Sequence, residues 1–182
     1  MTPTESHAPA LDLLRLKRPV IIGHRGYPQL APENTLPSFR MAIEAGADLI
    51  ELDYAVSRDG VPVVLHDDTL DRTTDATERW GRTHIALTSR TAADLRSLDA
   101  GSWFDPMFRG TALPTFEEAL DWIQGRGGMT LIERKDGSAA ECVAILSGRQ
   151  LINRVVVQSF DWAFIKAVHA LVPHQVLGAL GP

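Results

Sequence analysis

The sequence predicts an α/β fold built on a parallel sheet, and three observations carry that expectation. Short runs rich in Val, Ile and Leu recur along the chain, helix-like stretches separate them, and four of the runs end in polar clusters. Val20-Ile21-Ile22-Gly23 leads into His24-Arg25-Gly26, and Ala47-Asp48-Leu49-Ile50 into Glu51-Leu52-Asp53. Val61 to Leu65 leads into His66-Asp67, and Met129 to Ile132 into Glu133-Arg134-Lys135. Runs of this kind read as buried parallel strands. Alternating strands and helices imply right-handed crossovers, and in such folds reactive groups gather at the carboxyl ends of the strands.

The elements follow in order. Residues 1–18 read as an N-terminal tail, with two prolines and mixed polar residues in its first ten positions. The domain proper spans 19–182. After the first strand, a Pro-containing loop reaches Asn34 or Thr35, either of which can cap a helix through Ile43 that Gly46 ends. The second strand covers about Asp48 to Ala55, and Arg58-Asp59-Gly60 is a hairpin-like turn into the third, which allows the two to be locally antiparallel at their tips while both deliver polar ends to one face. Residues 69–114 are long, polar and broken by glycines, with one helical patch near Thr91 to Leu98, and read as an insertion. Thr115 caps a helix through Ile123, the fourth strand follows, and a helix covers about Ser138 to Leu146. Val155 to Gln158 is the fifth strand, Asp161 to Leu171 a helix, and Gln175 to Leu177 the sixth strand.

Composition narrows the function. With 182 residues and 45% hydrophobic content, the chain can bury the core of one domain. A formal charge of -5 argues against a nucleic-acid or anionic-membrane binder. No apolar run reaches transmembrane or signal-peptide length, so the expectation is a cytoplasmic protein without stable membrane insertion. The single cysteine, Cys142, lies in an apolar helical pattern and reads as a packing residue.

The clusters supply the chemistry. Glu51 and Asp53 stand at i and i+2, on one face of a strand, where buried carboxylates repel unless a cation joins them. A hard divalent ion, Mg²⁺ or Ca²⁺, suits such oxygen ligands, and Glu133 can complete the set. Zinc fits less well, because neither His-x-His nor His-Glu-x-x-His occurs. Arg25 offers a planar fork for phosphate oxygens, and Lys135 a point charge. His24 and His66 are a candidate acid and base for the two ester oxygens of one phosphodiester. Glu33 is placed to orient Arg25 or approach the ion. Trp103 and Phe104 either line a pocket mouth or staple their loop. Each cluster also has a plainer reading as a solvated strand end or an edge ion pair.

Together, His24-Arg25-Gly26, Pro32-Glu33-Asn34-Thr35, Glu51-Leu52-Asp53, His66-Asp67, Arg72-Thr73-Thr74 and Glu133-x-Lys135 resemble the glycerophosphodiester phosphodiesterase family. Gly101-Ser102-Trp103-Phe104, Leu113-Pro114-Thr115 and Gln158-Ser159-Phe160 match its later landmarks, so the likeness runs from about residue 19 to 180. The resemblance implies a TIM-barrel-like (β/α) barrel with a small insertion after the third strand. It implies Glu51, Asp53 and Glu133 as metal ligands, His24 and His66 as the acid/base pair, and Arg25 and Lys135 as phosphate holders. The implied reaction cleaves a small glycerophosphodiester into an alcohol and glycerol 3-phosphate. The family pattern has two further strands, so the barrel is expected to lack its last two. That leaves an open sheet edge for a second copy or a partner to cover. Two alternatives stand beside this reading: a remnant that binds metal or phosphate without turnover, and a lysophospholipase D-type activity.

Overall fold

A six-stranded sheet, five of its strands parallel, forms the centre of the computed structural model, which describes residues 8–181. The chain forms α1 (Pro9–Asp12), β1 (Ile22–Gly23), α2 (Leu36–Glu44), β2 (Leu49–Val56) and β3 (Pro62–Val64). It continues through α3 (Ala76–Trp80), α4 (Ala92–Arg96), α5 (Phe116–Gln124), β4 (Thr130–Arg134) and α6 (Ala139–Gly148). β5 (Val156–Ser159), α7 (Trp162–Leu171) and β6 (Val176–Ala179) complete it. The order is β1-β2-β4-β5-β6, with every neighbouring pair parallel.

The third strand is antiparallel, as the hairpin-like turn before it allowed. β3 pairs antiparallel with β2, Tyr54 opposite Val64 and Val56 opposite Pro62. The tight turn between them decides this: Ser57 Oγ donates to Asp59 Oδ1 at 2.7 Å, and Gly60 takes φ 83°. The hairpin therefore overshoots the sheet's carboxyl end and returns. Leu65 N donates to Asp53 O at 3.2 Å, which brings His66 back to the level of the β2 acids.

Helix starts follow the sequence closely. Thr115 and Ser138 each form a capping box, with Glu118 and Glu141, and Thr35 caps α2. The main core lies between the outer sheet face and the helices: Ile50, Leu52, Ile132 and Val157 pack against Phe39, Phe116, Leu120, Ile123, Leu146 and Phe164. Cys142 belongs to this core, at 1% exposure. The insertion has a second core of its own, with Leu70, Ile85, Leu87, Leu95, Leu98 and Leu113 around Val63 and Leu65. It also contains a helix the sequence did not announce, α3, which ends at Gly81 with φ 63°.

The barrel is not closed: among the described residues the sheet ends at β1 on one side and β6 on the other. Beneath its inner face lies a cavity of about 770 Å³ bordered by Leu49, Leu131, Val156 and Val176, with Leu11 and Leu14 below. Of the expected tail, residues 1–7 lie outside the described residues. From Pro9 to Arg15 the chain is helical, and Ala10 N donates to Asn153 O at 3.2 Å with Ala10 buried.

Candidate active site

The site begins where β1 ends. Arg25 and Gly26 both take left-handed backbone, φ 54° and φ 89°. At Gly26 a Cβ would sit 2.3 Å from Ser38 Oγ, so only glycine fits. Left-handed backbone is costly for arginine and persists because its surroundings fix it. Arg25 O accepts from Asn34 N at 3.0 Å and from Ser38 Oγ at 3.0 Å. The turn thereby aims Arg25 N at Glu51 Oε2, 2.6 Å away. Continuing the β1–β2 register by one step from Gly23 opposite Ile50 sets His24, which is exposed, level with Glu51.

β2 and β4 carry the acids. Glu51 and Asp53 face inward while Leu52 between them enters the outer core, the period-two alternation of a strand. Asp53 stands directly opposite Glu133. All three residues are buried, and each offers a carboxylate oxygen within 4.8 Å of the others. Asn34, itself 1% exposed, clamps Asp53 twice: its Nδ2 donates to Asp53 Oδ2 at 2.9 Å, and its Oδ1 accepts from Asp53 N at 3.2 Å. Lys135 Nζ sits 2.5 Å from Glu133 Oε1 and 3.2 Å from Asp53 Oδ1. Gln158 Nε2, on β5, reaches Glu133 Oε2 at 3.4 Å.

A second group of charges borders the first. His66 Nδ1 lies 2.7 Å from Asp67 Oδ1. Arg72 binds Asp67 through Nε at 2.7 Å and Nη2 at 2.9 Å. The same guanidinium binds both oxygens of Glu33, at 2.8 and 2.7 Å. Glu33 Oε1 also accepts from Arg25 Nη1 at 2.9 Å. Glu33 thus orients Arg25, and it is not among the three grouped acids. Arg25 Nε, buried without a hydrogen-bond partner, points past Asp53 Oδ2 at 3.6 Å.

The electrostatics separate the two groups. Burial and the neighbouring Asp53 charge push Glu51 up to about 8, against a single opposing hydrogen bond from the Arg25 amide. Arg72 and then His66 hold Asp67 down at about 2, although burial works the other way. Burial lowers Lys135, but Glu133 and Asp53 outweigh it and leave its pKa raised.

The donor set fits a hard divalent cation. With Glu51 ionised, five carboxylates (Glu33, Glu51, Asp53, Asp67, Glu133) meet three cations (Arg25, Arg72, Lys135), a deficit that one divalent ion balances on displacing the Glu51 proton. Glu51 Oε1 is buried without a hydrogen-bond partner, and so is Asp53 Oδ1 despite its ion pair with Lys135. Unsatisfied oxygens in a buried cluster are costly without a ligand and suited to an ion that prefers oxygen.

Sequence reasoning named most of this set and missed four members: Asn34, Asp67, Arg72 and Gln158. Asn34 passed as a helix cap, yet Thr35 caps α2. Asp67, Arg72 and Gln158 stood within recognisable motifs without a stated task. Trp103 and Phe104 contact one another edge to face at 5.7 Å, Phe104 packs on Phe108 at 5.6 Å, and Trp103 Nε1 donates to Ala100 O. These contacts staple their own loop.

The chain is similar to proteins of one family. A family model described as the glycerophosphoryl diester phosphodiesterase family matches residues 24–181. A glycerophosphodiester phosphodiesterase of Bacillus subtilis is 35% identical over a 182-residue alignment, covering 90% of this chain and 59% of the relative. One from Caldanaerobacter subterraneus is 32% identical, covering 88% and 66%. Among solved structures, an Oleispira antarctica phosphodiesterase in complex with the product sn-glycerol-3-phosphate matches with a TM-score of 0.78. It is 32% identical, with 88% of this chain and 65% of that one covered. An Agrobacterium tumefaciens glycerophosphodiester phosphodiesterase gives the same TM-score of 0.78 and 32% identity, with 88% and 66% covered. The chain therefore spans less than two thirds of the length of these proteins. Among the described residues no helix is long and apolar enough to cross a membrane.

Proposed function

The chain belongs to the glycerophosphoryl diester phosphodiesterase family, and on that premise we propose that it is a cytoplasmic, metal-dependent hydrolase of small glycerophosphodiesters. Its products are an alcohol and glycerol 3-phosphate. The observation that carries this reading is the trio Glu51, Asp53 and Glu133, with oxygens within 4.8 Å of one another and flanked by Arg25 and Lys135. The trio holds the cation, Mg²⁺ or Ca²⁺. When bound, that ion supplies Lewis-acid stabilisation of charge developing on the phosphoryl oxygens.

The remaining roles fall to the chain's own groups. The unpaired Arg25 Nε–H and the Lys135 ammonium donate to the non-bridging phosphate oxygens. Asp67, a carboxylate at neutral pH, can only accept, so the His66 Nδ1 beside it carries the proton. That leaves His66 Nε2 free to take a proton from the nucleophile or, once charged, to give one to the leaving alkoxide. His24, level with Glu51 on the neighbouring strand, takes the complementary part.

The test is to incubate the purified chain with glycerophosphocholine and measure glycerol 3-phosphate, with and without chelator. Release that stops on chelation and returns with Mg²⁺ or Ca²⁺ supports the reading. Among the described residues β1 and β6 each have one neighbour in the sheet, which favours a second reading, a half-open barrel that binds the ion without turnover. Divalent binding by calorimetry with no product released selects that alternative.

A further inference from the structure

Arg72 lies outside the acid trio, yet its guanidinium is the most fully engaged cation at the mouth. It forms a two-pronged contact with each of two carboxylates, Asp67 and Glu33, at distances between 2.7 and 2.9 Å. Each carboxylate in turn holds one proposed functional group: Asp67 holds the His66 ring, and Glu33 holds the Arg25 fork. The Arg72 side chain is 45% exposed, so it contributes little to the core. Its backbone, by contrast, is fixed from both sides. Asp71 accepts from Ile85 N at 3.0 Å, and Thr74 Oγ1 donates to Leu70 O at 2.6 Å. Leu70 and Thr73 are buried in the insertion.

We propose that Arg72 is a positioning residue through which the insertion sets the ring of His66 and the fork of Arg25 together. Only an arginine suits this place. Its planar fork can engage two carboxylates at once, whereas a lysine ammonium, a point charge, cannot hold both in plane. With Arg72 present, Asp67 is locked against Nδ1 and the Nε2 lone pair of His66 is turned away from it. Without Arg72, Asp67 and Glu33 lose their shared counter-charge and both functional groups gain rotational freedom. Partners of this indirect kind are typically worth 10–100-fold in activity.

This inference rests on the proposed function for its kinetic half only, and its structural half is read without turnover. The experiment compares the wild-type chain with Arg72→Lys and Arg72→Ala. Long-range ¹H–¹⁵N correlation of the His66 ring is recorded alongside kcat and KM on glycerophosphocholine. In the wild type, the ring is expected as the Nδ1–H tautomer. In both variants the Nδ1–H population falls and kcat drops on the order of 10–100-fold, with KM little changed and thermal stability retained. Arg72→Lys fails to rescue. The proposal is overturned if either variant keeps the wild-type tautomer, or if Arg72→Lys restores kcat. Should Arg72→Ala not fold, Arg72→Lys carries both readouts alone. A wild type that turns over no glycerophosphodiester refutes the functional reading, while the ring measurement still decides the role of Arg72.

Discussion

Glu51 on β2 and Asp99 in a loop of the insertion are both carboxylates, and their surroundings drive them in opposite directions. Asp99 accepts from Gly101 N, Ser102 N, Ser102 Oγ and Gly110 N, at distances from 2.5 to 3.0 Å. Burial resists, but the four donors hold its pKa at about 2. Glu51 has one donor, the Arg25 amide, and two acidic neighbours, and it is held at about 8. The insertion therefore uses its acid to tie a loop, and the charge is satisfied by the chain itself. The mouth leaves its acids short of donors, which weakens the free chain and makes a site for something brought from outside. Local rules are broken where function is placed and obeyed where structure is held.

The comparison breaks most sharply at the histidines. Replacing His66 or His24 with alanine is expected to lower kcat by about 10²–10⁴-fold, the usual range for a general acid or base. Thermal melting should stay near that of the wild type, because His24 is exposed and His66 only half-buried. Substantial residual turnover in either variant would remove that imidazole from the chemistry.

Much of this was legible before any coordinates. Glu51 and Asp53 declare a shared strand face by their spacing, and Thr115 and Ser138 announce their helices through Glu118 and Glu141 three residues on. What stayed hidden depends on direction or reach. The hydrogen bonds from Arg72 to Glu33 close 39 residues of chain, and nothing local encodes them. The task of Asn34 depends on its left-handed φ of 57°, which turns an ordinary capping residue toward Asp53. The hairpin-like turn Arg58-Asp59-Gly60 allowed β2 and β3 to be antiparallel, but did not show how His66 would then still be delivered to the face that carries the acids. His66 arrives there because an antiparallel hairpin overshoots and comes back.

A smaller effect sharpens the contrast from the mouth's side. Asn34→Ala removes both contacts to Asp53 and should weaken divalent binding on the order of 10–100-fold, as for other groups that orient a metal ligand. Calorimetric titration with Mg²⁺ or Ca²⁺ measures it. Equal affinity in wild type and variant would mean that Asp53 needs no orienting. On the insertion's side, Asp99→Ala leaves three backbone amides without their acceptor. The expected cost is about 1–2 kcal/mol of stability, toward the low end for bonds to a charged group because solvent screens this one. Turnover measured well below the melting temperature should be unchanged, and a loss of kcat would show that the loop reaches the site.

The smallest and most diagnostic difference is in pH. The folded chain keeps the Glu51 proton up to about 8, whereas an unfolded chain releases it near 4.5. Stability from this group is thus complete below 4.5 and is lost as pH rises through about 8. Asp99 runs the other way: its contribution stands above 3.8 and is lost as pH falls through about 2. In chelator, melting temperature should therefore decline toward alkaline pH, and Glu51→Gln should flatten that decline while leaving the acid limb alone. A divalent ion should raise the melting temperature more at pH 8 than at pH 5, because at the higher pH it no longer competes with the Glu51 proton. An ion effect independent of pH would mean that Glu51 is not among the groups that receive it.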